Sequence, residues 1–130
     1  MKDKNESVKE WFFYAKEDLK LASLGLESGI LPDLLCFHAQ QAVEKAIKAL
    51  LVQFDLDFPK THNIQILLTQ LSLFLEIPEQ LLRAEILTDY AVTSRYPGVH
   101  EQINQEEYRI AIKISREVID WVAENIIDPE

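Results

Sequence analysis

The sequence predicts an all-α fold, an up-and-down antiparallel bundle of four long helices plus a short helix. Three observations predict it. Apolar residues recur at steps of three and four over long stretches, the period of one helix face. Punctuation is sparse, with 3 Gly and 5 Pro in 130 residues, too little for the turns of many short strands. The connections between periodic stretches are short, which makes successive helices antiparallel neighbours. With 48% hydrophobic and 27% charged residues, a chain of this length buries a core without cross-links and reads as one domain, residues 1–130. No internal repeat, low-complexity tract or linker divides it.

The first helix is expected over about residues 6–28, with Val8, Trp11, Phe12, Ala15, Leu19, Ala22 and Leu26 as its apolar stripe and Gly29 as its C-cap. The second is expected over about residues 32–54. Pro32 suits a first turn and Asp33 the positive end of the helix dipole. The run LLCFHAQQAVEKAIKALLVQF is apolar on a wide arc, so this helix is expected to be central. Thr61 is a candidate N-cap for a short helix over about residues 63–72. Pro78 and Glu79 open the next, with Leu82, Ile86, Tyr90 and Thr93 on one face and an end near Arg95, since Tyr96 precedes Pro97 and Gly98. Asn104 and Glu107 have the spacing of a capping box. They start a last helix that reaches about residue 127, with Tyr108, Ala111, Ile112, Ser115, Val118, Ile119 and Val122 on its apolar face.

Several function classes are excluded. The first ten residues, MKDKNESVKE, lack an apolar signal core, and no run reaches the roughly 18 apolar residues of a membrane span, so a soluble cytoplasmic chain is expected. No glycine-rich phosphate loop is present. His38, His62 and His100 are far apart and Cys36 is alone, so there is no metal signature and no cofactor is expected. Cys36 sits in an apolar run and reads as a small buried hydrophobe; a helical offset of two points it away from His38.

Thirteen Lys and Arg against 22 Asp and Glu give a net charge of −9. Binding a polyanion then requires a local basic patch. One short segment stands out. SRYPGVH places Arg95 at a predicted helix end and His100 in the following connection, with Pro97 and Gly98 forcing a turn. Arg is a permanent, planar phosphate binder and His exchanges protons near neutral pH. Together they can support metal-free RNA cleavage, His100 as general acid or base and Arg95 stabilising the charged phosphorane. Spacing alone is weak support, and Arg95 near a helix C-terminus is also favourable through the dipole. Arg109, Lys113 and Arg116 form a basic stripe that could steer phosphate or could be an ordinary solvated face. Lys45 and Lys48 read the same way, and together with Tyr96 and Arg109 are the candidate nucleotide- or RNA-binding residues. His62 reads as a capping or packing residue. Trp11, Phe12, Tyr90 and Trp121 read as core or dimer contacts.

Four motifs in order resemble the HEPN domain family: AKEDLKLA at residues 15–22, FHAQQAVEKAIKALL at 37–51, PKTHNIQILL at 59–68 and SRYPG at 94–98, followed by the final amphipathic helix. The resemblance covers about residues 8–125. It implies an up-and-down helical bundle, often dimeric. Many members are implied to be metal-independent ribonucleases acting through an Arg and a His four to six residues apart, brought together in a cleft between two subunits. Arg95 and His100 match that pattern. Prokaryotic single-domain members frequently pair with a small nucleotidyltransferase as toxin and antitoxin, which implies such a partner here; others bind nucleotides without catalysis. Active branches often carry a polar residue directly after the Arg, where this chain has Tyr96 and Pro97. Some carry a Tyr two after the His, where this chain has Gln102. The alternative is therefore a non-catalytic module that binds a nucleotide or a nucleotidyltransferase.

Overall fold

The computed structural model describes residues 3–91 and 102–127. Among these every regular element is helical. Helix α1 spans Lys4–Ala22, a single 3₁₀ turn follows at Leu26–Ser28, and α2 spans Pro32–Gln53. Helix α3 is the short Ile64–Leu71, a long 3₁₀ helix covers Glu79–Ala91, and α4 spans Gln105–Asn125.

Helix α2 is the axis of the bundle, and every other helix packs against it. It is apolar on a wide arc, so Leu35, Ala39, Val43, Ile47, Leu50 and Leu51 are all fully buried. Fully burying one such Leu or Ile contributes about 1.5–3 kcal/mol. Direction follows from the contacts. Lys4 meets Asp55, Trp11 meets Lys48 and Asp18 meets His38, so partner numbers fall as α1 advances and α1 and α2 are antiparallel. Ser115 bonds Ala39 while Gln53 bonds Asn125, so α4 runs alongside α2 in the same sense. This is the up-and-down order expected.

The helix ends have local causes. Asp3, Asn63 and Asn104 cap α1, α3 and α4, each side chain accepting from the backbone N–H three residues on. Helix α2 ends in a Schellman turn. Asp55 takes the left-handed conformation at φ 60, and the Leu56 N–H closes on the Leu51 carbonyl at 2.9 Å. The apolar face predicted for α4 is buried at every named position.

Four expectations are corrected. Helix α1 stops at Ala22, not near residue 28, because Gly25 takes a positive φ of 87; the phenol of Tyr108 fixes the break by donating to the Ala22 carbonyl and accepting from the Gly25 N–H. Leu26 keeps helical spacing only by coincidence, and Gly29 closes the 3₁₀ turn rather than α1. Asn63, not Thr61, caps α3; Thr61 instead accepts from the Asn63 N–H. The 79–91 helix winds three residues per turn, so its buried face is Leu81, Ala84 and Leu87, while Leu82 and Ile86 are exposed. Thr93 and the predicted helix end at Arg95 lie outside the described residues.

Candidate functional site

Arg95, Tyr96 and His100 lie in residues 92–101, outside the described part of the chain. The two ends that carry this segment are described and fixed. Ala91 and Ile103 are both buried in the core. Between them Tyr90 donates its hydroxyl to the Glu107 carboxylate at 2.7 Å, and Asn104 caps the first turn of α4. Burial and that hydrogen bond to Glu107 raise the Tyr90 phenol well above its ordinary value, so it stays a donor throughout the neutral range. On the sequence alone Tyr90 reads as a packing residue; its bond to Glu107 joins two elements 17 residues apart and has no local signature.

Lys45 and Lys48 sit elsewhere, in a polar row between α1 and α2. Lys45 meets Asp18 at 2.7 Å, and Asp18 also meets the His38 ring at 3.0 Å. Lys48 meets Glu44 at 2.7 Å, with its ammonium over the rings of Trp11 and Phe58. Glu44 is the hub. It is buried and receives Lys48, Gln40 and His62, the last at 2.8 Å. Burial pushes its carboxyl up, but the hydrogen bonds from Lys48, His62 and Gln40 outweigh that and hold it below the ordinary carboxylate value. Both predicted lysines are therefore already matched to carboxylates. Pulling Lys48 onto a phosphate would strand a buried charge, at a cost of several kcal/mol. The helical spacing of His38, Gln41, Lys45 and Lys48 is visible in the sequence, and so is Glu44 one turn before Lys48; Asp18, the partner of Lys45 and His38, is not, because it comes from α1.

Arg109 opens on a different surface. A groove of about 620 Å³ runs along α4, closed on one side by the loop after α1 and on the other by the 3₁₀ helix. Arg83, Arg109, Lys113 and Arg116 line it, together with Glu106, Glu117 and Asp120. Arg109 meets Glu106 at 3.5 Å in an exposed pair, an interaction that contributes little. The stripe of α4 is readable from its spacing; Arg83, from another element, is not.

The profile of the HEPN domain family matches residues 8–126. Two solved structures share the fold. TT1696 from Thermus thermophilus superposes with a TM-score of 0.81 at 28% identity, over 92% of this chain and 98% of that one. ST0689, an archaeal HEPN homologue, gives 0.75 at 27% identity, over 98% of this chain and 100% of its own. No functionally curated protein matches significantly. With the profile spanning most of the chain and a bundle of the same topology, the protein belongs to the HEPN domain family.

Proposed function

We propose that this HEPN-domain protein is a metal-independent endoribonuclease that acts through Arg95 and His100, in the manner of the toxin of a HEPN/nucleotidyltransferase pair. The observation that carries this reading is the Arg95–His100 spacing within a chain that belongs to the family. In the reaction the ribose 2′-oxygen loses its proton and attacks the adjacent phosphorus. The bond to the 5′ oxygen breaks, and that oxygen takes up a proton. His100 performs one of the proton transfers, and Arg95 neutralises charge on the pentacoordinate phosphorus. A two-subunit cleft supplies a second copy of the pair for the other transfer. Exposed Leu24, Leu31 and Leu34 around the turn between α1 and α2 support assembly with a second copy. Incubating the purified protein with RNA in a chelator tests the reading: cleavage that His100→Ala abolishes, with helical circular dichroism intact, supports it.

The second reading is a non-catalytic module that binds a nucleotide or a nucleotidyltransferase. Tyr96 and Pro97 directly after Arg95, together with the net charge of −9, favour it. Calorimetric titration with nucleotides and co-purification with a neighbouring nucleotidyltransferase test it.

A further inference from the structure

We propose that the groove along α4 is a track for the phosphodiester backbone of a single RNA strand, gripped by Arg83 from the 3₁₀ helix and by Arg109, Lys113 and Arg116 from α4. The proposal deepens the ribonuclease reading and rests on it for the identity of the strand.

Three of the chain's four arginines line this one groove. The lining carries these three and Lys113 against the carboxylates of Glu106, Glu117 and Asp120, so the groove is positive by one charge on a chain of net charge −9, a local exception to the overall balance. Arg83, Lys113 and Arg116 make no ion pair within the described residues, so no carboxylate has to be displaced to free them. This separates the groove from the row on α2, where Lys45 and Lys48 are held by Asp18 and Glu44. Arg109 to Arg116 spans about 10 Å of helix, room for successive phosphates rather than one.

Chemistry favours a strand over a free nucleotide. The groove is open along its length, and the one aromatic among its described lining residues, Tyr108, is buried with its hydroxyl committed to α1 and the turn that follows it. A nucleotide site needs a face on which the base can stack, whereas a backbone needs only spaced cations.

The test is fluorescence anisotropy of a labelled 2′-O-methyl RNA strand titrated with the whole protein over a salt series. Such a strand lacks the hydroxyl that cleavage requires, so binding is read independently of catalysis. Three to four phosphate contacts predict a slope of log affinity against log salt of about −2 to −3. Lys113→Glu combined with Arg116→Glu should weaken binding at least tenfold and flatten the slope by about 1.4, with unchanged circular dichroism, since both side chains are exposed. Arg83→Glu should weaken it several-fold. Lys9→Glu with Lys16→Glu makes the same charge change on another face and should leave most of the affinity. Equal losses in the two double variants, or wild-type affinity in the groove variants, would overturn the proposal, as would displacement of the strand by ATP at equal phosphate concentration. Cleavage that depends on His100 but ignores the groove would remove the track and leave the nuclease. Groove-dependent binding without any cleavage of ordinary RNA would do the reverse.

Discussion

Tyr90 hydrogen-bonds Glu107 at 2.7 Å, tying the end of the 3₁₀ helix to the first turn of α4. The segment bearing Arg95 and His100 starts after one partner and finishes before the other, so the bond ties together the two elements from which it emerges. Tyr90→Phe removes one charge-assisted hydrogen bond of a half-buried phenol and should cost about 1 kcal/mol of stability. Its effect on RNA cleavage should be larger than that small loss would give, a several-fold fall in rate at a temperature where the variant remains folded. Thermal melts and cleavage rates measured side by side check this; a rate equal to wild type would show that the tie does not position the segment.

Asn104 accepts from the Glu107 N–H at 2.8 Å and caps the same turn. Asn104→Ala should lower stability by about 1 kcal/mol, read as a shift in urea midpoint with unchanged slope.

Glu44 and Lys48 form a pair whose side chains are 5% and 10% exposed. Glu44→Ala leaves the ammonium without its carboxylate and should cost about 3 kcal/mol. Glu44→Gln, which keeps hydrogen-bonding capacity, should cost less. The carboxyl is held below its ordinary value near 4.5. Its contribution is therefore full above that pH and is lost as pH falls through the lower, folded value. Denaturation midpoints should decline on acidification below about pH 4.5 in the wild type and decline less in Glu44→Gln.

Cys36 is fully buried. Burial, with the nearby charges of Glu107 and Asp33, pushes its thiol up from 9.0 to about 12. The native protein should react with a thiol reagent far more slowly than the urea-unfolded chain. A raised value stabilises the fold below the unfolded pKa, and that contribution is lost as pH climbs toward the folded one. Stability should thus fall from about pH 9 upward, and less steeply in Cys36→Ala. Rapid labelling in native buffer would contradict the buried placement.

Much of the fold could be read from the sequence because the relevant signals are local. The apolar face of α4, the Asn104 cap and the start of α2 at Pro32 follow from residues three or four apart. The failures have non-local or geometric causes. Helix α1 is cut at Ala22 by Gly25 and by a phenol 83 residues further along the chain. The face of the 79–91 helix shifted because tighter winding brings Leu81, Ala84 and Leu87 into line, a period that an α-helical reading cannot give. At the candidate sites, the spacing of Lys45 and Lys48 was visible, as was Glu44 one turn before Lys48, but Asp18 reaches Lys45 only through the packing of α1 on α2. The stripe of Arg109, Lys113 and Arg116 was visible, but Arg83 joins it only through tertiary packing.

Incubation of RNA with the wild type and with His100→Ala, in a chelator and with the products resolved by end group, tests the central reading most directly. The wild type should generate 2′,3′-cyclic phosphate and 5′-hydroxyl ends, and the equally helical His100→Ala protein none. Equal cleavage by the two proteins, or cleavage that stops in chelator, would contradict it.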